Sequence, residues 1–274
     1  MSKPEDAGPA EPNESRPALL LALRHTPEDV TRRCAEIYQS IASPRGTALD
    51  AMAWFDERDL RRLFEQYDAL FFDGLLGRML REGGGIPLTF RLSDRLTKAA
   101  GKTIRTVRHG RPGAKWERAQ SFEIAVSTVL LRTSFGDGPP RAVSVGGLAC
   151  KDWGEAVQRI MEHELLHLAE FLGWGASNCQ ADTFKTLSRN VFGHESSHHD
   201  LVTPRERAFH SHGLSVGDRA TFEYDGVRRA GLVNRITKRA TVLVEDPAGR
   251  RFSDGKRYVV YYIPIPSLRK EEAG

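Results

Sequence analysis

Cysteine is scarce in this chain: Cys34, Cys150 and Cys179 are the only three in 274 residues. So small and odd a number cannot build a disulfide framework and points to a reducing compartment. Long apolar runs are missing too, and the stretch 18–23 is far too short to cross a bilayer. The opening residues, MSKPEDAGPAEPNESRP, are polar and proline-rich, without the basic and apolar segments of a secretory signal. A cytoplasmic location with no membrane partner is therefore expected. Charge of one sign is not in large excess. Against 36 Asp and Glu stand 40 Lys and Arg, a net +4, so any surface for a polyanion must be a local concentration. With 40% hydrophobic and 28% charged residues, the chain can bury a substantial core and is long enough for two domains.

What is present is His163-Glu164-Leu165-Leu166-His167, inside an apolar run from 153 to 171. On a helix, four residues are about one turn, so both imidazoles leave the same face and can grip one ion. Glu164 then stands beside the open coordination position, where its carboxylate can take a proton from water. A helix is expected here. Asp152 and Glu155 have the spacing of an N-cap and its capping-box partner, and Val157, Ile160, Met161, Leu165, Leu168 and Leu172 recur at helical intervals. No proline intervenes before Gly173 and Gly175. Two histidines and a glutamate on an apolar helix are costly to desolvate unless something such as a metal compensates them.

A catalytic zinc needs a third protein ligand. The longer metzincin pattern would require glycine at Glu170 and histidine at Gly173, and both are absent. Glu170, one turn beyond His167, is expected to support the ligands or to be solvated.

The segment HELLHLAEFLGWGASNCQADTFKTLSRNVFGH resembles the core of SprT-like zinc metallopeptidases, related to Spartan. The likeness extends upstream to LFEQYDALFFDGLL and to the strand-like PLTFRLS and FEIAVSTVLL, and covers roughly 60–194. It implies an α+β, minizincin-like fold, Zn2+, a glutamate base and three histidine ligands, the third just before the next helix. At that place stand Cys179 and Gln180, ahead of Phe184. A thiolate is a good zinc ligand, so Cys179 is the first candidate, although a free cysteine can equally be a small buried residue. Gln180 is a poor ligand. His194 is the runner-up, with His198 and His199 behind it; together these three could also form a polar loop, a phosphate-binding site or a second metal site.

Elsewhere the sequence divides into three parts: a disordered tail (1–18), the metallopeptidase domain with an N-terminal helix (19–212), and a small β-barrel (213–270). Thr26-Pro27-Glu28-Asp29 reads as a helix start, and Val30, Cys34, Ile37, Tyr38 and Ile41 as its apolar stripe, ended by 44–46. A second helix is expected over 60–77, burying Leu63, Phe64, Tyr67, Leu70 and Phe71. Gly83-Gly84-Gly85 lacks the Lys-Ser/Thr of a phosphate loop and reads as a turn. Strands are expected over 88–92, 103–107 and 122–130, the last two joined by a basic loop (108–115) that is either solvated or in contact with phosphates. By analogy with zinc peptidases, 121–129 is the candidate edge strand for pairing with an extended substrate.

From 214 onward, short alternating stretches separated by Asp225-Gly226, Pro247-Ala248-Gly249 and Asp254-Gly255 suggest an SH3-like or Tudor/KOW-like barrel. Arg235, Lys238, Arg239, Lys256 and Arg257, with tyrosines nearby, are candidates for binding DNA or RNA, although acids interleave with them. The expectation is a zinc-dependent endopeptidase acting on protein substrates. Its alternative is a non-catalytic, nucleic-acid-associated protein with a structural zinc closed by a fourth ligand.

Overall fold

The computed structural model describes residues 15–42, 54–109, 118–137, 139 and 141–271. The chain is a mixed α+β protein with two hydrophobic cores. The tail expected over 1–18 lies mostly outside the described residues, but Arg16–Ala22 is a helix (α1) whose Leu20 is fully buried. Helix α2 (Pro27–Ala42) begins as expected, the Thr26 hydroxyl accepting from the amide of Asp29.

The helix expected over 60–77 is two helices, α3 (Glu57–Phe71) and α4 (Leu75–Glu82). Asp73 and Gly74 take positive φ and turn the chain. Asp68 makes the break stable, because its carboxylate accepts the amides of Leu76 and Gly77, the open donors at the start of α4. On α3, Leu63, Tyr67 and Phe71 are buried, while Phe64 and Leu70 are only partly so.

Three strands follow: β1 (Leu88–Ser93), β2 (Gly101–His109) and β3 (Arg118–Ser127). Their order is β1-β3-β2, with β1 parallel and β2 antiparallel to β3. Two expectations are corrected here. The chain from 128 leaves the sheet as helix α5 (Thr128–Arg132), and β3 is the central strand, so 121–129 cannot offer a free edge. The edge beside the candidate site belongs to β2. Most of the basic loop lies outside the described residues, and Arg108 and His109 end β2.

A hairpin, β4 (Val143–Val145) and β5 (Leu148–Cys150), leads into α6 (Trp153–Trp174), the longest helix among the described residues. Asp152 caps α6 by accepting from the Glu155 amide, but Glu155 accepts from the amide of Lys151, one residue beyond the N-cap amide that a capping box would use. Helix α7 (Asp182–Phe192) packs against α6.

The second core joins Ala208 of α8 (Pro204–His212) to a five-stranded antiparallel sheet. Its strands are β6 (Arg219–Tyr224), β7 (Val227–Ile236), β8 (Arg239–Arg251), β9 (Arg257–Pro264) and β10 (Arg269–Lys270), in the order β10-β6-β7-β8-β9. Asp225-Gly226 makes the β6–β7 turn with both residues at positive φ. Pro247-Ala248-Gly249, expected as a turn, lies within β8 at an irregularity between Glu245 and Arg250. Arg141 connects the two parts, binding Glu206 at 2.7 Å and Asp200 at 3.0 Å, and Lys238 pairs with Asp94.

Candidate metal centre and active site

The floor of the site is one face of α6. His163 and His167 point their Nε2 atoms at the same space, 3.1 Å apart. Phe184 of α7 packs on both rings, with centroids 4.9 and 4.7 Å away. Burial, together with the neighbouring histidines, pushes His163 down to about 3, and burial pushes His167 down to about 4. Both rings are thus neutral near pH 7, the form in which imidazole offers a lone pair.

A supporting chain sets the orientation of His167. Its Nδ1 lies 2.6 Å from the Ser177 oxygen, and the Ser177 hydroxyl donates to Glu170 Oε2, also at 2.6 Å. With the hydroxyl proton committed to the carboxylate, Nδ1–H must be the donor to Ser177, leaving Nε2 unprotonated and facing the site. The amide of Asn178 donates to the same Glu170 oxygen and holds the loop in place. Glu170 is buried, which excludes the solvated surface that the sequence left open for it.

That loop delivers Cys179. One donor atom each from His163, His167 and Cys179 lies within 4.8 Å of the others, the only such group among the described residues. Two imidazoles and a thiol are a donor set suited to zinc, and three protein ligands leave one position open. Gln180 points its amide towards Ser197 instead. His194 is not part of the group. It is buried, and its Nε2–H donates to Glu162 Oε2 at 2.6 Å, because α7 carries the chain away from the two ligands and returns it along the other flank of α6.

Glu164 leaves α6 about 100° round from His163. The Thr103 hydroxyl on β2 lies 2.8 Å from its Oε2 and 2.9 Å from its carbonyl oxygen. Burial, only partly offset by Thr103, raises the Glu164 carboxyl to about 7. Such a group takes up and returns a proton near neutrality. Strand β2 approaches this closely because residue 101 is glycine: a Cβ there would sit 2.6 Å from Glu164 Oε1.

Glu162 leaves the helix on the other side. It is completely buried and accepts from Tyr67 at 2.8 Å, from His194 and from Arg159 at 2.9 Å. Burial opposes its charge, but Arg159, His194 and Tyr67 together hold it down at about 2. Cys34 is also at this carboxylate, 3.4 Å away, and burial pushes its thiol up to about 12.

Sequence reasoning did not single out Ser177, Thr103, Gly101 or Glu162. Only Ser177, an alcohol two residues before a candidate ligand, carried a local signal.

Of the candidate cations in the second part, Lys238 is engaged with Asp94, Lys256 with Glu245 at 2.8 Å, and Arg257 with the Gly249 carbonyl. Arg235 and Arg239 are exposed. No family model, curated protein or solved structure matches this chain.

Proposed function

We propose that this protein is a zinc-dependent metalloendopeptidase of the SprT-like kind, with a minizincin-like catalytic part followed by an SH3-like module, working in the cytoplasm on protein substrates. One observation carries the reading: three good zinc donors converge while a buried carboxyl of near-neutral pKa lines a cleft together with one of them, His163. Among the described residues no helix is long and apolar enough to cross a membrane.

When bound, zinc supplies Lewis acidity that polarises a peptide carbonyl and acidifies water. His163, His167 and Cys179 hold it, and Ser177 and Glu170 fix the ring of His167. Glu164 accepts the proton of the attacking water and returns it to the amine nitrogen as the C–N bond breaks. Thr103 keeps the carboxylate turned towards the cleft. The exposed edge of β2 offers backbone donors and acceptors to an extended peptide, the role sequence reasoning gave to 121–129. Changing Glu164 to Gln is expected to preserve zinc content and abolish cleavage of unfolded casein; retained cleavage contradicts the assignment.

A nucleic-acid association is favoured by one observation: residues 214–271 carry twelve Lys and Arg against seven Asp and Glu. Because Arg235 and Arg239 are exposed, they are the contacts we assign to DNA or RNA. Their joint replacement by alanine in the full chain is expected to weaken oligonucleotide binding and flatten its salt dependence by about one unit per lost phosphate contact. A non-catalytic protein with a closed structural zinc is less well supported, since His194, the fourth ligand it would need, is bound to Glu162.

A further inference from the structure

A cleft of about 220 Å3 opens beside His163 and Glu164. One wall is the start of β2 with the residues before it, including Lys98, and the other is the loop carrying His198 and His199. The walls are fastened together, for His199 Nε2 lies 3.2 Å from the Lys98 carbonyl while its Nδ1 accepts from the Leu201 amide at 3.4 Å. The loop is also tied to the β4–β5 hairpin. Gly146 donates to the His198 carbonyl at 2.9 Å, Asp200 donates to Ser144 at 2.7 Å, and the Glu195 and Ser196 amides converge on the Gly146 carbonyl. At Gly146 a Cβ would lie 2.7 Å from His194 Nδ1, so glycine is what lets the hairpin and loop approach.

On this restrained backbone the ring of His198 is exposed and makes no hydrogen bond to any described residue. It lines the cleft next to His163 and also the adjoining cavity beside Gln180 and Phe184, so it stands at the junction of both spaces. His199 cannot play an independent part, because both its nitrogens are engaged. Lys98 reaches the cleft only on a flexible four-carbon stem.

We propose that His198 is a catalytic residue whose ring N–H donates a hydrogen bond to the carbonyl oxygen of the scissile peptide as that oxygen gains negative charge. The proposal rests on the peptidase reading above. During attack the water oxygen bonds to the carbonyl carbon, the water proton passes to Glu164, and the C=O π pair moves onto the carbonyl oxygen facing His198. On collapse that pair re-forms the C=O bond, the C–N bond breaks, and the nitrogen takes the proton from Glu164. His198 transfers no proton. A donor that the tethered loop backbone brings to the place where charge develops is worth more in the transition state than in the ground state, and so lowers the barrier.

The test compares zinc-loaded wild type, His198→Ala and His198→Gln on fluorescein-labelled unfolded casein and on a quenched peptide taken from a casein cleavage site. The alanine variant is expected to keep its zinc and melting temperature, lose about 10²- to 10³-fold in kcat with little change in KM, and recover part of the loss as glutamine, which restores an N–H donor. A phosphinic pseudopeptide of the cleaved sequence should bind the alanine variant more weakly in the same ratio as kcat/KM, whereas the uncleaved peptide should bind the Glu164→Gln protein equally well with and without His198. Cleavage by His198→Ala within threefold of wild type overturns this proposal alone. Absence of cleavage by the zinc-loaded wild type overturns it together with the peptidase reading.

Discussion

Glu162 and Glu164 sit one on each side of His163 and are almost equally inaccessible, at 0% and 3% exposure, yet one is held at about 2 and the other at about 7. Burial therefore does not separate them; their partners do. On the Glu162 flank a cation and three further donors surround the carboxylate and tie α2, α3 and the residue two past α7 to α6. On the Glu164 flank a single threonine hydroxyl is the donor, and the opening beside it is a cleft. A fully satisfied buried charge holds elements together, while an incompletely satisfied one is poised to exchange a proton. The same helix turn thus carries an anchor and a carboxyl whose pKa lies near neutrality.

The contrast can be broken most severely at the anchor. Replacing Glu162 with alanine leaves buried Tyr67 and His194 and part-buried Arg159 without their common partner, and is expected to cost about 3–5 kcal/mol of stability in urea unfolding. A loss below about 1 kcal/mol would show that the network is not the anchor described. Ser177→Ala acts on the reactive side, removing only the link between His167 and Glu170. It should weaken zinc binding by about 10- to 100-fold in chelator competition while the metal-free fold keeps its melting temperature. Unchanged zinc affinity contradicts the orienting role.

Acid and base sharpen the comparison further. Glu162 has a folded pKa near 2, below its ordinary 4.5, so it contributes stability that is complete above pH 4.5 and is lost as pH falls towards 2. Glu164 has the opposite sign. Its pKa of about 7 contributes stability present below pH 4.5 and lost as pH rises through 7. In the metal-free protein, Glu164→Gln should flatten the fall between pH 4.5 and 7, and Glu162→Gln the rise between 2 and 4.5. Profiles that do not differ between the two variants contradict the assignment of the flanks.

The helix and its two imidazoles were legible because a four-residue spacing and an apolar period are local properties. Cys179 was reached through the resemblance, which implies a ligand just before the next helix, and the structure brings its sulfur near the two imidazoles. The supports of the site were not, since each arises from contacts distant in sequence: Thr103 meets Glu164 across 61 residues and Tyr67 meets Glu162 across 95. The order β1-β3-β2 escaped for a related reason. Alternation in 122–130 shows that one face is buried but says nothing of which strands lie on either side. The break after Phe71 was hidden because Phe72, Leu75 and Leu76 continue the apolar pattern through the turn, and only Asp73-Gly74 marked it.

X-ray absorption at the zinc edge of the loaded wild-type protein addresses the central arrangement most directly. Two nitrogen scatterers at about 2.0–2.1 Å, one sulfur at about 2.3 Å that disappears in Cys179→Ser, and one further light atom are expected. A first shell without sulfur in the wild type, or one closed by a third imidazole, would contradict it.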